Sequence, residues 1–166
     1  TSLANGKYLL LLHHDECYTL KDFNKLMIEI RKNEDYDVFI TNTILFDRKR
    51  NKYFNHLPIF LKKFLISYFK PYIYLKNFIG PTSCLIIKNK LFTNFKESLV
   101  WTVDQDWYRR VIFNKKKFLS DVNTISDYSR HNSLTYYIGI KKYYLRVKED
   151  LAYFKYFYPL ILIIKT

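Results

Sequence analysis

The segment Lys7-Tyr8-Leu9-Leu10-Leu11-Leu12, followed at once by His13-His14-Asp15-Glu16, decides the fold class of this chain. A short, uninterrupted apolar run predicts a strand that is buried on both faces. Thr19 and Asp22 then have the spacing of a capping box. Apolar residues follow at helical spacing, at Leu20, Phe23, Leu26, Met27 and Ile30. Asp37–Leu45 is rich in β-branched and apolar residues and predicts a second strand. Strand, helix and strand in this order indicate a βαβ unit and an α/β sheet.

The rest of the chain continues to alternate between helices and strands. Pro71 is expected to end the helix before it, because proline cannot continue a helix. Phe78–Ser83 predicts a turn. The further predicted helices are Pro58–Phe69, Asp104–Phe113 and a segment from Tyr136 onward, and the further predicted strands are Cys84–Ile87, Phe118–Val122 and Thr124–Tyr128.

Composition places the chain among globular proteins. Its 166 residues suit one domain, and its 49% hydrophobic and 19% aromatic content exclude a disordered tail. Cys17 and Cys84 lie far apart and lack CxxC partners, which disfavours a disulfide framework or a zinc site. The start lacks a signal-peptide pattern, and no uncharged apolar run approaches about 20 residues. These features predict a cytoplasmic protein, with peripheral attachment at the inner face of the cell membrane as a further expectation.

The net charge of +13 is open to three interpretations. It is typical of a solvated lysine coat, of attraction to an anionic membrane surface, or of nucleic-acid binding. The lysines are spread along the chain and form no arginine stripe, zinc-finger spacing or RNA-binding signature. The sequence therefore disfavours a nucleic-acid partner and leaves the first two interpretations open.

A first candidate site is the segment His13-His14-Asp15-Glu16 at the end of the first predicted strand. Open α/β sheets place functional residues at the carboxyl ends of their strands. Carboxylate oxygens with an imidazole nitrogen would suit Mn²⁺ or Mg²⁺, which neutralise a diphosphate leaving group. The alternative is a solvated loop, in which Asp15 and Glu16 favour the positive N-terminus of the following helix.

A second candidate site is the segment from Trp101 to Arg110. If Asp104 opens the helix, Asp106 and Arg110 lie four residues apart and can form an ion pair. Asp104 would then be free to face a cleft as the general base for an attacking hydroxyl. The alternative is that Asp104 only caps the helix, which is a common role for aspartate at that position.

A third candidate site is the polar run Ser129-Arg130-His131-Asn132-Ser133-Leu134-Thr135. His131 is a candidate metal ligand or phosphate contact, and Arg130 a candidate phosphate contact. The alternative is a polar loop in which Ser133 or Thr135 caps the next helix.

Taken together and in order, these segments resemble the family 2 inverting glycosyltransferases, which have the GT-A fold. The stretches that carry the resemblance are Ser2–Glu16, Asp37–Ile40, Asn77–Ile87, Asp104–Arg110 and Arg130–Thr135. The first resembles the stretch that leads to the DxD-type metal motif, and the fourth the acidic motif before a helix that ends in arginine. The resemblance covers about residues 2–135.

The resemblance implies a GT-A-like, Rossmann-related mixed sheet flanked by helices. Residues 1–135 would be a partial catalytic domain that lacks the N-terminal strands of the complete fold. Those strands and the pocket for the nucleotide base are expected before Thr1. Residues 136–166 would form a helical, aromatic and apolar C-terminal extension.

The resemblance also implies roles for single residues. Asp104 would be the catalytic base, and Asp15 and His131 would bind Mn²⁺ or Mg²⁺. The residues implied to bind the donor diphosphate are His13, His14, Arg130 and His131. Those implied on the acceptor or sugar side are Gly80, Pro81, Thr82, Asp106 and Trp107. The chain departs from the DxD pattern, because His13 occupies the first carboxylate position.

The activity that the resemblance implies is sugar transfer with inversion. The donor would be a nucleoside diphosphate-sugar, and the acceptor a hydroxyl of a saccharide or lipid-linked glycan in surface polysaccharide synthesis. The alternative is an inactive remnant or a non-catalytic module at the membrane surface. The His13 departure and the basic, aromatic C-terminal segment favour that alternative.

Overall fold

A computed structural model of the chain describes residues 4–68, 73, 77–127, 144–145 and 147–149. Its strands are β1 (Tyr8–Leu10), β2 (Glu16–Cys17), β3 (Val38–Asp47), β4 (Lys52–Asn55), β5 (Leu85–Lys88) and β6 (Lys117–Asp127). Its helices are α1 (Leu20–Lys32), α2 (Ile59–Tyr68) and α3 (Val103–Ile112).

The strands form one mixed sheet with the order β1-β5-β3-β6-β2, and β4 pairs with β3 beside this path. β3 and β6 are parallel. β5 is antiparallel to both β1 and β3, so β1 and β3 run in the same direction. The predicted α/β class is therefore confirmed, with β5 inserted between the two strands of the predicted βαβ unit.

Helix α1 begins where the sequence predicts. Thr19 is the N-cap, and its Oγ1 accepts a hydrogen bond from the backbone N–H of Asp22 at 3.0 Å. The same hydroxyl donates to Asp22 Oδ2 at 2.7 Å. The helix buries Leu26 and Ile30 against the sheet residue Phe39 and its neighbours. The predicted capping and helical periodicity are confirmed.

The sheet is covered on both faces because its buried residues alternate. Phe39 packs in the cluster beneath α1. Its neighbours Val38 and Ile40 pack in the opposite cluster with Trp107 and Val111 of α3. Alternation of this kind follows from the two-residue period of a strand.

The apolar run 7–12 is less buried than the sequence predicts. Strand β1 covers only Tyr8–Leu10, of which Leu9 alone is buried, and Leu12 is 53% exposed. The prediction of a strand buried on both faces therefore holds only in part: Leu9 lies in one core cluster, while Tyr8 and Leu10 pack half-buried against the other. Among the described strands β1 is last in the order and has β5 as its one partner.

The segment 117–127 is a single strand instead of the two that were predicted. β3 offers a long parallel partner, paired from Val38 opposite Lys117 to Phe46 opposite Asp127. The register of this pairing shifts once, between Ile40 and Asn42. Tyr128 lies outside the described residues.

Two short strands, β2 and β4, were not predicted from the sequence. Pro71 and most of the predicted helix from Tyr136 onward lie outside the described residues, although residues 144–145 and 147–149 are helical. None of the described helices combines the length and the apolarity needed to cross a bilayer.

Candidate functional site

Three segments that are distant in the sequence meet at the end of β1. The turn that contains His13 follows β1, Thr82 belongs to the loop before β5, and Asp104 lies in the first turn of α3. Thr82 Oγ1 and His13 Nε2 are 3.1 Å apart, which joins the first two segments. The Asp104 carboxyl group is close enough to His13 and Glu16 for their charges to act on it. The fold therefore assembles a polar site from these segments.

The turn after β1 holds a cluster of three ligand-type side chains. One ligand atom each from His13, Asp15 and Glu16 lies within 4.8 Å of the others. Glu16 is buried, Asp15 is half-buried and His13 is exposed, so the cluster opens toward solvent on one side. The cluster falls in the segment His13–Glu16 that the sequence analysis proposed for a metal, and of its three members the family resemblance had singled out Asp15 alone.

Local hydrogen bonds hold the cluster in place. The backbone N–H of Glu16 donates to His13 O at 3.1 Å. Glu16 Oε2 in turn accepts from the backbone N–H of His13 at 3.2 Å. The backbone N–H of Asp127, at the end of β6, donates to Asp15 O at 2.9 Å. The turn is therefore fixed both internally and against the sheet.

The imidazole of His13 is oriented as a ligand would be. Its Nδ1 lies 4.0 Å from Glu16 Oε1, which is too long for a hydrogen bond but suits two ligands of one ion. In the tautomer that donates from Nε2 to the hydroxyl of Thr82, the lone pair of Nδ1 is available on the side of Glu16. Histidine ligands commonly donate their second ring N–H in this manner.

The chemistry of these donors fits a divalent cation. Two carboxylates and one imidazole suit Mn²⁺, since Mg²⁺ prefers an all-oxygen, octahedral set. Of the two ions expected from the sequence, Mn²⁺ therefore fits the residues present more closely.

Asp104 is half-buried in the first turn of α3 and does not cap the helix. The N-cap position belongs to Thr102. Among the described residues, none donates a hydrogen bond to the Asp104 carboxylate. Burial raises the pKa of Asp104; the nearby His13 opposes this shift, and the negative charge of Glu16 adds to it. A carboxylate with a raised pKa is a stronger proton acceptor than ordinary aspartate.

Asp106 has a different environment, and its predicted ion pair with Arg110 is confirmed. Its side chain is fully buried, and Oδ2 accepts from Arg110 Nε at 2.8 Å. Lys96 and Arg109 lie 3.3 and 3.8 Å from its other oxygen. Trp107 is 1% exposed and donates its indole N–H to a backbone carbonyl. Both side chains are thus committed to protein partners, and we leave them out of the proposed site.

The loop that contains Gly80, Pro81 and Thr82 borders the cluster. Gly80 has a positive φ of 110°, and its carbonyl oxygen accepts from Tyr108 at 2.8 Å and from Asn77 Nδ2 at 2.8 Å. Burial raises the pKa of Tyr108 well above its usual value, so this phenol remains a donor. Gly80 and Thr82 are buried and Pro81 is half-buried, which leaves the loop rigid beside His13.

Lys62 supports the same loop and was missed by the sequence analysis. It is fully buried on α2, and its Nζ donates to Ile79 O at 2.7 Å and to Thr41 O at 3.1 Å. Burial lowers its pKa. The spacing of Lys62 and Ile66 on one helix face was the signal available in the sequence.

The remaining predicted site residues do not enlarge the cluster. His14 is exposed. Arg130 and His131 lie outside the described residues.

Comparisons of the chain with family models, with curated proteins and with solved structures found no match.

Proposed function

We propose that this chain is the catalytic part of an inverting glycosyltransferase of the family 2 type with a GT-A-like fold. The donor is a nucleoside diphosphate-sugar, and the acceptor is a hydroxyl of a saccharide or a lipid-linked glycan. One observation carries the proposal: the ligand cluster at His13, Asp15 and Glu16 lies beside the half-buried carboxyl group of Asp104. The mixed α/β sheet that positions them supports the fold assignment.

Asp104 acts as the general base in this proposal. As the acceptor oxygen forms a bond to the anomeric carbon of the donor sugar, its proton passes to the Asp104 carboxylate. The bond between that carbon and the diphosphate oxygen breaks, and the nucleoside diphosphate leaves with the bonding electrons. Attack opposite the leaving group inverts the anomeric configuration. The raised pKa of Asp104 favours the proton transfer.

His13, Asp15 and Glu16 would hold Mn²⁺. When bound, this ion supplies positive charge for the diphosphate leaving group. Glu16 is buried and anchored to the backbone N–H of His13, so it holds its position without a substrate. Thr82 orients the His13 ring from the opposite side.

The test uses the full-length protein. Release of nucleoside diphosphate from uridine and guanosine diphosphate-sugars is measured with Mn²⁺ and a hydroxyl acceptor. Asp104→Asn is expected to abolish transfer while donor binding persists. The matched control is Asp121→Asn, which alters an exposed carboxylate on β6. Near-normal turnover by Asp104→Asn would remove Asp104 from the role of base.

Metal binding is tested separately by calorimetry with Mn²⁺ alone. Asp15→Ala and Glu16→Gln are expected to weaken binding at least about tenfold, since even the loss of a partner behind a ligand weakens metal binding about 10–100-fold. Asp121→Asn again serves as the control. Unchanged Mn²⁺ binding in both cluster variants would defeat the metal assignment, whatever the transfer assay shows.

A second candidate function is attachment to an anionic membrane surface, and α2 favours it. Phe60, Phe64 and Tyr68 recur every four residues and are 71%, 49% and 74% exposed. Lys63 is exposed on the same helix, whereas Lys62 lies on the buried face of that helix. Aromatic side chains next to basic ones suit the interface of an anionic bilayer, and the net charge of +13 adds long-range attraction.

Co-sedimentation with vesicles tests this candidate. The wild-type protein is expected to bind phosphatidylglycerol-containing vesicles without nucleotide and to ignore pure phosphatidylcholine. Phe60→Ser with Phe64→Ser should abolish binding, whereas Ile28→Ser, on an exposed α1 position, should not. Equal binding by all variants would exclude α2 as the contact.

A further inference from the structure

The carboxylate of Glu149 receives four donors from one short loop. Oε1 accepts from the backbone N–H of Val100 at 2.7 Å, and Oε2 accepts from that of Thr102 at 2.7 Å. The N–H of Trp101 lies 3.1 and 3.0 Å from the two oxygens. The hydroxyl of Thr102 donates to Oε2 at 2.8 Å. Glu149 is only 6% exposed, so these contacts are shielded from water.

This loop leads directly into α3. Thr102 is the N-cap of the helix; its side chain makes no capping bond to the helix, and its hydroxyl donates to Glu149. The carbonyl oxygen of Thr102 accepts from the backbone N–H of Asp106 at 3.0 Å. Hydrogen bonds to a charged acceptor are stronger than neutral ones and weaken little when buried. Glu149 therefore fixes the conformation of the residues from which α3 starts.

We infer that Glu149 is a positioning residue for Asp104. Asp104 lies two residues beyond Thr102 and, among the described residues, receives no hydrogen bond that would orient it. Its place beside His13 and Glu16 is set by where α3 begins, and Glu149 sets that point. The inference that this serves catalysis rests on the proposed function. Glu149 belongs to the segment 136–166, which the sequence analysis placed outside the catalytic domain. By this inference it nevertheless supports the site.

The first experiment measures amide hydrogen exchange in the full chain. In Glu149→Ala, the amides of Val100, Trp101 and Thr102 should exchange at least about tenfold faster, because each loses a bond to a charged acceptor. Glu149→Gln keeps one carbonyl oxygen and should give an intermediate rate. Lys148→Ala, at the exposed neighbouring position, should match the wild type. Unchanged exchange in both Glu149 variants would overturn the inference.

The second experiment distinguishes positioning from simple loop stability. The pKa of Asp104 is followed by carboxyl carbon NMR. In Glu149→Gln it should fall toward the ordinary aspartate value, because a loosened helix start admits water to the carboxyl group. Faster exchange with an unchanged Asp104 pKa would reduce Glu149 to a loop cap and overturn its positioning role.

The transfer assay then relates the result to function. Glu149→Gln should lower kcat with little change in the KM of the donor, whereas Lys148→Ala should leave both unchanged. If the wild-type protein transfers no sugar, the proposed function fails, yet the exchange and NMR results still decide whether Glu149 positions Asp104. If transfer occurs and kcat of Glu149→Gln is unchanged, the positioning role is overturned alone.

Discussion

The hydroxyl group of Tyr108 donates a hydrogen bond to the carbonyl oxygen of Gly80 over 2.8 Å, and so ties α3 to the loop before β5. Both residues are buried. Asn77 reinforces the tie, because its Oδ1 accepts from the N–H of Gly80 at 3.0 Å while its Nδ2 donates to Gly80 O. The loop that bears Thr82 is consequently fixed relative to the helix that bears Asp104.

Gly80→Ala is expected to destabilise the fold strongly. The new Cβ would lie 2.3 Å from Thr43 Oγ1 and 3.1 Å from Cys84 Sγ, at a φ of 110°. Strain and steric overlap together should lower the free energy of unfolding by about 3 kcal/mol or more. Urea denaturation measures the loss. Gly6→Ala is the control, since its nearest neighbour is Tyr8 O at 3.3 Å and its φ is not positive; equal losses in the two variants would contradict the argument.

Asp104→Asn is expected to stabilise the protein near neutral pH while it removes transfer activity by at least about 100-fold. Burial raises the pKa of Asp104 in the folded state above the ordinary value of 3.8. As pH rises, Asp104 therefore loses its proton first in the unfolded state. At a pH above the folded-state pKa, the ionised aspartate lowers the free energy of unfolding. Well below pH 3.8 both states are protonated and the difference should vanish. Thermal unfolding at pH 3 and pH 7 tests this, and a destabilised variant at pH 7 would refute it.

Lys62→Met is expected to lower stability by an amount that grows with pH. Loss of the ammonium group removes the Lys62 donor from Thr41 O and from Ile79 O, which among the described residues keeps only the longer contact from Thr43 Oγ1 at 3.4 Å; this costs about 1–3 kcal/mol at pH 7. Burial lowers the pKa of Lys62 from 10.5, so the unfolded state binds more protons between the lowered pKa and 10.5. Stability of the wild type, relative to the variant, should rise with pH across that window. Denaturation at pH 7 and pH 9.5 measures the difference, with Lys63→Met as the exposed control; a pH-independent difference would be the contrary result.

Asp106→Asn is expected to be unstable without a primary defect in chemistry. The buried carboxylate binds Arg110 Nε at 2.8 Å, and the amide removes the negative charge that pairs with this guanidinium, which within the described part of the chain keeps only its neutral bond to Thr93 Oγ1 at 2.7 Å. Breaking one side of a buried pair should cost about 3 kcal/mol. Chemical denaturation measures the cost, and transfer is assayed at a temperature where the variant is folded. Loss of transfer in fully folded protein would contradict this expectation and would indicate that Asp106 contacts the acceptor or the sugar.

The features that the sequence predicts correctly are local ones. Thr19 and Asp22 are three residues apart, and Asp106 and Arg110 are four apart, so helical geometry alone brings them together. The apolar run before His13 likewise marks a strand end without knowledge of the sheet, although its length and burial depend on neighbours that the pattern does not reveal.

The features that were missed depend on distant partners. The spacing of Lys62 and Ile66 indicates a shared helix face, but the sequence does not reveal the acceptors of the Lys62 ammonium group, the carbonyl oxygens of Thr41 and Ile79. The contact of Glu149 with Thr102 spans 47 residues, and that of His13 with Thr82 spans 69. Strand β4 was missed because all of its residues are exposed, which removes the alternation that identifies a half-buried strand.

The parallel pairing of β3 with β6 governs the order in which the protein can fold. Asn42 and Asn123, whose side chains bond across the two strands at 2.9 Å, are 81 positions apart. Such pairing closes a long loop before it gains contacts, and topologies of this kind fold slowly. During synthesis the edge of β3 that pairs with β6 therefore stays unpaired until β6 has been made. At that stage chaperone binding or aggregation competes with folding. Refolding followed by stopped-flow fluorescence should accordingly be slow, on the order of milliseconds to seconds.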